Sequence, residues 1–270
     1  MTASPACPLC GGGSLASWHV YTAPVAGEPV FATAGDTYCR EISNCPACGH
    51  FIEVMGIDQE YLYKGDYVSS TWGDALAVEA AFHRINALPP ERSDNMGRVA
   101  YILDAVKRLG GTPSRLLDVG SGLAVFPHRM KQAGWAVTAI DLDPVLVEHA
   151  RRVAGLDAHL GDITAATTLA RFHLITFNKV LEHVADPVAM LAAAKRHLDD
   201  GGMVYVELPD GEAAADEGPG REEFFFGHRH VFSFASYALL AAKAGFRIIE
   251  CQRLREPSSK YTLRGLLTPR

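Results

Sequence analysis

Residues 115–126 read RLLDVGSGLAVF, and this stretch decides the fold. An apolar run ends in Asp118, and Gly120 and Gly122 follow one residue apart. That order is typical of a buried strand that enters a tight turn and then opens a helix. Glycine turns at the carboxyl end of a parallel strand hold nucleotide-like cofactors, and several cofactors share this geometry. The stretch therefore predicts a cofactor site, whose chemistry depends on the residues that follow.

From residue 115 onward the predicted strands and helices alternate. The strands lie at residues 115–119, 136–140, 157–160, 172–178, 202–208 and 246–253, and the helices near 124–132, 144–154, 187–198 and 234–244. Nearly continuous apolar strands between helices are typical of a parallel sheet covered on both faces. The sequence therefore predicts an α/β fold with a doubly wound, mostly parallel sheet.

The acidic residues at the strand ends narrow the choice of cofactor. A dinucleotide turn requires G-x-G-x-x-G, but the third position is Val125. Asp118 would repel a pyrophosphate, whereas it suits a cofactor with an ammonium and a sulfonium. Asp141 ends the second strand, where a carboxylate can accept both ribose hydroxyls. Asp162 and Ile163 follow the third strand, where an acid can bind an adenine amino group beside an apolar neighbour. One such acid is ordinary turn chemistry, but three at successive strand ends indicate a site.

The region from about residue 95 to 253 resembles the class I S-adenosylmethionine-dependent methyltransferases. The resemblance rests on the motifs LLDVGSG, VTAIDLDP, GDI, FNKVLEHVADP, HLDDGGMVYVELPD and HRHVFSFASYALLAAKAGF. It implies a Rossmann-like sheet of the seven-stranded type that binds S-adenosyl-L-methionine. The implied cofactor-binding residues are Asp118, Gly120, Gly122, Asp141, Leu142, Asp162, Ile163 and Asn178. Family members close the sheet with an antiparallel strand pair, for which only the short end of the chain remains.

Four cysteines near the start of the chain form two C-x2-C pairs, Cys7 with Cys10 and Cys45 with Cys48. A following glycine lets each pair turn so that both thiolates face one ion, and four thiolates are typical of structural zinc. Two disulfides, or a redox pair, are the alternatives. Because the intervening segment alternates apolar and polar residues between Gly and Pro, we predict short hairpins and a Zn²⁺ ribbon.

The predicted ribbon is acidic. Residues 1–70 contain two basic residues, Arg40 and Lys64, against seven acidic ones, so this region would repel phosphates. With the ribbon, the chain resembles zinc-ribbon methyltransferases that modify activated sugars or cell-envelope glycans. We therefore expect a small-molecule or sugar acceptor rather than nucleic acid. The predicted domains are the ribbon at residues 1–60, a helical and aromatic linker and cap at 61–112, and the methyltransferase domain at 113–270.

Methyl transfer to oxygen requires the loss of a proton, for which a histidine base is the candidate. His183 follows the fourth strand, and His230 precedes the last crossover helix, so we predict these two as catalytic residues. Each could instead serve only to fasten its loop. A metal site from His228, His230 and Glu222 or Glu223 lacks a typical ligand spacing. The NKVL sequence after the fourth strand departs from the motif of adenine and glutamine N-methyltransferases, which argues against nitrogen methylation in a nucleic acid. We expect O-methylation rather than C-methylation.

Composition limits the remaining alternatives. The net charge is −6, and neither a signal-like start nor an apolar run of membrane-spanning length is present, so we expect a cytoplasmic protein without membrane insertion. A homo-oligomer is compatible with the sequence. Three competing hypotheses remain: an RNA methyltransferase that uses the ribbon for binding, a non-catalytic cofactor-binding assembly protein, and a nicotinamide dehydrogenase.

Overall fold

The computed structural model describes residues 6–28, 38–54 and 73–270, and the YLYKGDY segment at 61–67 lies outside them. The strands are β1 (Ala16–Tyr21), β2 (Arg40–Asn44), β3 (Phe51–Val54), β4 (Arg115–Val119), β5 (Ala136–Asp141), β6 (Asp157–Leu160), β7 (Phe172–Asn178), β8 (Leu198–Pro209), β9 (His230–Val231), β10 (Phe246–Arg255) and β11 (Tyr261–Pro269). The α-helices are α1 (Ala75–Asn86), α2 (Asp94–Arg108), α3 (Val125–Gln132), α4 (Pro144–Arg152), α5 (Pro187–Ala193), α6 (Gly211–Ala215) and α7 (Phe234–Lys243). Short 3-10 helices lie at Pro90–Arg92, Ala194–His197 and Glu222–Phe224.

The larger sheet has seven strands in the order β10-β11-β8-β7-β4-β5-β6. Strands β4 to β8 are parallel to one another, whereas β11 runs antiparallel between β8 and β10. Successive side chains of a strand point to opposite faces, and Leu116 and Leu117 of β4 accordingly belong to two different apolar cores. The sheet is therefore covered on both faces, which confirms the predicted doubly wound α/β fold.

The end of the chain completes the sheet. Strand β11 pairs over most of its length with β10 on one side and β8 on the other, and its residues 262–267 are buried. The short end of the chain is sufficient because nine extended residues span about 30 Å. The predicted strand bounds hold to within a few residues. The helix predicted at 187–198 instead ends at Ala193 and continues as a 3-10 turn.

A second sheet joins the predicted ribbon to the larger domain. Its order is β1-β2-β3-β9, with every pair antiparallel. Strand β9 comes from the segment between α6 and α7, so the ribbon sheet is completed by the larger domain. Phe51 of β3, Phe224 and Val231 of β9 share a small apolar core between the two parts. The division of the chain at residues 60 and 112 stays a prediction, and α1 and α2 lie in its middle portion.

Among the described residues, no helix combines the length and apolar character that crossing a membrane requires.

Candidate functional site

A cavity of about 1210 Å³ lies along the carboxyl ends of the parallel strands. It extends past the ends of β6, β5, β4, β7 and β8, which are neighbours in that order. Four strand spacings of about 4.8 Å make this edge about 19 Å long. We call its lining residues 119–122, 140–146 and 161–164 the glycine-turn wall. Its lining residues from 178 to 190, with 222, 223, 228, 229 and 260, form the histidine wall.

The glycine turn is shaped by backbone that only glycine adopts readily. Gly120 has φ of 67°, and a Cβ there would meet the Val180 side chain at 2.7 Å. Gly122 has φ of 52°, and a Cβ there would meet open space. The Gly122 N–H donates to Asp141 Oδ2 at 3.0 Å, which ties the turn after β4 to the end of β5. The turn is thus fixed in place and open towards the cavity.

Four of the predicted cofactor residues stand beside the turn on the ends of β5 and β6. Asp141 Oδ1 accepts a second bond from the Asp143 N–H at 3.0 Å, and burial raises the pKa of this carboxyl. Leu142 is 55% exposed although it lines the cavity, so its apolar surface is available to a ligand. Asp162 accepts from the Thr164 N–H at 2.7 Å, and Ile163 is buried beside it. These four residues contribute two carboxylates and two apolar side chains to the wall.

Two polar atoms that line the cavity between β4 and β7 lack a hydrogen-bond partner among the described residues. Ser121 Oγ, in the glycine turn, and Asn178 Oδ1, at the end of β7, are both buried and unpartnered. Buried polar groups are normally satisfied, because an unmade hydrogen bond costs about 1–3 kcal/mol. These two atoms are therefore suited to a polar ligand between β4 and β7.

Asp118 lies behind the turn and does not line the cavity. It is 2% exposed, and the Thr176 hydroxyl donates to its Oδ1 at 2.5 Å. Burial raises the pKa of Asp118 to about 7, although the Thr176 bond opposes the shift. Of the predicted cofactor residues, Asp118 is thus the one that could act on a ligand only through its charge.

Three side chains converge on the histidine wall. Potential ligand atoms of Glu182, His183 and His228 all lie within 4.8 Å of one another. His183 Nδ1 lies 2.8 Å from the Gly227 carbonyl oxygen, and His228 Nδ1 lies 2.8 Å from that of Glu223. Because a carbonyl only accepts, both Nδ1 atoms carry the proton, and the lone pair of each neutral ring is on Nε2. Burial lowers the pKa of His183 to about 4.

His230, the second predicted catalytic residue, does not line the cavity. It is 3% exposed in β9, where its Nδ1 lies 3.0 Å from His50 Nε2 of the ribbon region. Its backbone N–H donates to the Glu182 carbonyl at 3.0 Å. The structure therefore brings His183 together with His228, and places His230 between the ribbon sheet and the histidine wall.

A buried charge network lies beneath the histidine wall. Arg98 of α2 makes two bonds to the Glu207 carboxylate, Nε to Oε2 at 2.7 Å and Nη2 to Oε1 at 2.6 Å. Burial alone would raise the pKa of Glu207, but Arg98 outweighs it and holds that pKa at about 2. Lys179 has φ of 58° and donates to Thr262 Oγ1 at 3.0 Å. Sequence reasoning did not single out these residues, because their contacts join distant segments.

The four predicted zinc ligands come together. The sulfur atoms of Cys7, Cys10, Cys45 and Cys48 lie within 4.8 Å of one another. The Cys7–Cys48 and Cys10–Cys45 separations are 3.7 and 3.5 Å, too long for a disulfide of about 2.05 Å. Zn–S bonds of about 2.3 Å in a tetrahedron place sulfurs about 3.8 Å apart. The arrangement therefore fits one metal ion bound by four thiolates.

Comparison with known proteins agrees with this fold. Residues 94–251 match a family model described as a methyltransferase domain. The ubiquinone biosynthesis O-methyltransferase of Xanthomonas oryzae pv. oryzae is 32% identical over 178 residues, which cover 63% of this chain and 66% of the relative. The ubiquinone biosynthesis O-methyltransferase of Pasteurella multocida is 28% identical over 168 residues, which cover 56% of this chain and 65% of the relative. The chain thus spans just under two thirds of the length of these relatives.

Two solved structures share the fold. Magnesium protoporphyrin IX methyltransferase from Synechocystis PCC 6803 superposes with a TM-score of 0.59 at 16% identity, over 79% of this chain and all of that one. The 1,6-didemethyltoxoflavin-N1-methyltransferase of Burkholderia thailandensis superposes with a TM-score of 0.55 at 21% identity, over 90% of this chain and 99% of that one. Because the family model covers more than half of the chain, the chain belongs to the methyltransferase-domain family.

Proposed function

We propose that this chain is a class I S-adenosylmethionine-dependent methyltransferase that transfers a methyl group to a hydroxyl oxygen of a small-molecule or activated-sugar acceptor, with help from a histidine base. The observation that carries this proposal is the shape of the cavity. One opening joins the glycine-turn wall, which suits the methyl donor, to the histidine wall, which suits an acceptor that must lose a proton. Donor and acceptor would then meet over the ends of β4 and β7.

The donor occupies the glycine-turn wall in this proposal. Asp141 receives the ribose hydroxyls, and Asp162 with Ile163 receives the adenine, while Leu142 covers the ring. The methionine portion lies along Gly120 and Gly122, and the unpartnered atoms of Ser121 and Asn178 face the same space. Asp118 contributes only a charge behind the turn. These assignments follow the family resemblance, and the positions of the residues on the cavity support all of them except direct contact by Asp118.

The acceptor occupies the histidine wall. Of the two histidines predicted as the base, His183 lies on the cavity and His230 does not. The Nε2 lone pair of His183 is the proton acceptor in our proposal, and His228 shares this role or positions the acceptor. His230 would act through the backbone, by holding Glu182 in place.

Two observations favour a small acceptor that is methylated on oxygen. The named relatives are O-methyltransferases of ubiquinone biosynthesis. In the described part of the ribbon the single basic residue, Arg40, is buried in ion pairs with Glu28 and Glu53. An RNA substrate would need exposed cations there. Three basic residues near the end of the chain are also ion-paired: Arg253 with Asp210 and Glu212, Arg255 with Glu217, and Lys260 with Glu222.

We further propose that the four cysteines bind one structural Zn²⁺ in a cytoplasmic protein. The thiols are free, as a reducing compartment requires. Burial opposes ionisation of Cys45, but backbone N–H groups of Cys48 and Ala47 outweigh it and lower its pKa to about 7. Metal analysis of purified protein should give about one zinc per chain at the ribbon. Full metal retention by Cys45→Ser would contradict this assignment.

Calorimetric titration with S-adenosylhomocysteine tests the donor site. Asp141→Ala should weaken binding by about 10²-fold, because each hydrogen bond to a charged group is worth about 1.5–3 kcal/mol. Asp157→Ala, at the exposed opposite end of β6, is the matched control and should bind normally. NAD should not bind. Preference for NAD, or normal binding by Asp141→Ala, would refute the donor assignment.

Methyl-transfer assays with a panel of activated sugars and hydroxylated small molecules test the acceptor side. His183→Ala should lower kcat by about 10²–10⁴, the usual contribution of a positioned base, and leave S-adenosylhomocysteine affinity unchanged. Equal activity of His183→Ala and the wild type would favour the non-catalytic or packing role instead.

A further inference from the structure

Glu182, His183 and His228 lie close enough together for a role other than that of a proton acceptor. Both imidazoles donate Nδ1–H to a backbone carbonyl, so each ring is fixed in one tautomer and one orientation. Metal-binding histidines are held in this way by an outer hydrogen bond. The two ring centroids are 4.9 Å apart, and the ligand atoms of all three residues lie within 4.8 Å. One ion can therefore contact all three.

The state of Glu182 is an independent observation. Its side chain is fully buried, and neither carboxylate oxygen has a hydrogen-bond partner among the residues that the structure describes. The nearby Lys179 does not supply one, because its Nζ donates to Thr262. A buried carboxylate without a partner is costly, whereas a buried carboxylate that coordinates a metal is common.

We propose that Glu182, His183 and His228 form a divalent metal site, distinct from the cysteine site of the ribbon. Two neutral imidazoles and one carboxylate suit a borderline ion such as Zn²⁺, Co²⁺ or Fe²⁺ better than Mg²⁺, which prefers oxygen ligands only. Three protein ligands leave at least one position open, and the three residues line the cavity.

The site deepens the proposed function and rests on it for its role. The open position takes the acceptor hydroxyl, and the cation favours loss of its proton to water. The resulting oxygen attacks the methyl carbon as the carbon–sulfur bond breaks, which leaves S-adenosylhomocysteine. In this loaded form His183 is a ligand, and the ion replaces it as the group that activates the acceptor. The acceptor class is then a hydroxyl compound that can coordinate a metal.

Lys179 provides a further test of the metal site, because its removal should raise the metal affinity whereas removal of a ligand should lower it. Its ammonium group lies close enough to Glu182 and His183 to influence both electrostatically. A nearby positive charge lowers the affinity for a cation without touching the ligands. Lys179→Met should therefore strengthen metal binding, whereas Glu182→Gln and His228→Ala should weaken it.

The test is a titration with Co²⁺ of protein whose ribbon already holds zinc, followed by calorimetry and visible absorption. We expect one Co²⁺ per chain beyond the ribbon zinc, with zinc content unchanged. Glu182→Gln and His228→Ala should each reduce affinity by at least about tenfold, and Lys179→Met should increase it. His159→Ala, which removes an exposed histidine from β6, is the matched control. S-adenosylhomocysteine titration of every variant reports whether the cavity is folded.

Two results would overturn the metal site: no Co²⁺ bound beyond the ribbon, or the same Co²⁺ affinity in Glu182→Gln, His228→Ala and the wild type. Full methyl transfer after chelation of the cavity metal would show that the metal has no catalytic role. The acceptor would then lose its proton to the histidine base, as in the proposed function. Failure of the wild type to bind S-adenosylhomocysteine would instead refute the proposed function, and the Co²⁺ titration would still decide the metal site.

Discussion

The two walls of the cavity are built in different ways. In the glycine-turn wall each segment lies at the carboxyl end of its own strand, and the Gly122–Asp141 bond joins the ends of adjacent strands. In the histidine wall, Glu182 and His183 meet His228 from a distant segment. That segment is held by the ribbon region, through β9 on β3 and through the Glu53 N–H, which donates to the Arg229 carbonyl at 3.0 Å. Local sequence therefore builds one wall, and tertiary contacts build the other.

The sharpest way to break this comparison is to remove the zinc proposed for the ribbon. Cys45→Ser should abolish zinc binding and release β9, because four-thiolate sites contribute directly to folding. We expect methyl transfer to fall by at least about 10²-fold, comparable to loss of a positioned catalytic group, while S-adenosylhomocysteine affinity changes little. Hydrogen exchange should rise in residues 222–233 and not around 115–126. Equal loss of protection in both regions would show that the walls are not independent.

The Arg98–Glu207 pair tests how the two walls are joined, since α2 precedes the glycine turn and β8 ends at the histidine wall. Arg98→Met should destabilise the protein by about 3–5 kcal/mol, because it leaves a buried carboxylate without its counter-charge. The double variant Arg98→Met with Glu207→Gln should be less unstable than the single one. Urea denaturation measures both. Additive losses would mean that the pair is not coupled.

Asp118 provides a pH signature for the glycine-turn wall. Its pKa of about 7 in the folded protein is raised above the ordinary 3.8, so the folded state holds the proton longer than the unfolded chain does. Its contribution to stability is full below about pH 4 and is lost as the pH rises through 7. Asp118→Asn should therefore gain stability relative to the wild type between pH 5 and 8, by at most about 4 kcal/mol at 1.36 kcal/mol per pKa unit. Parallel stability curves for the two proteins would contradict this.

The smallest effect is expected at the rim of the histidine wall. Lys260 is paired with Glu222 at 3.5 Å, and both side chains are substantially exposed. Lys260→Met should change the free energy of unfolding by less than about 1 kcal/mol, as for most exposed ion pairs. Thermal denaturation checks this. A large loss of methyl transfer with normal stability and normal S-adenosylhomocysteine binding would instead identify Lys260 as an acceptor contact.

Much of the glycine-turn wall could be predicted because its signals are local. The turn follows a buried strand, and Asp141 and Asp162 stand at the ends of the next two, so strand periodicity alone places them on one edge. Asp118 was the exception: residues just before the turn still belong to the strand, and its side chain points into the protein. The two cysteine pairs were also local signals, and their convergence followed from metal chemistry.

The sequence by itself thus determined the doubly wound sheet, the glycine turn, the acids beside it and the four cysteines. Only the tertiary structure separated His183 from His230, which look alike as histidines near strand ends. A residue's distance from the cavity depends on which strands pair, and the pairing of β9 with β3 buries His230 against His50. The same pairing leaves His228 on the cavity beside Glu182. These positions could not be predicted, because contacts between distant segments depend on packing that no short stretch of sequence encodes.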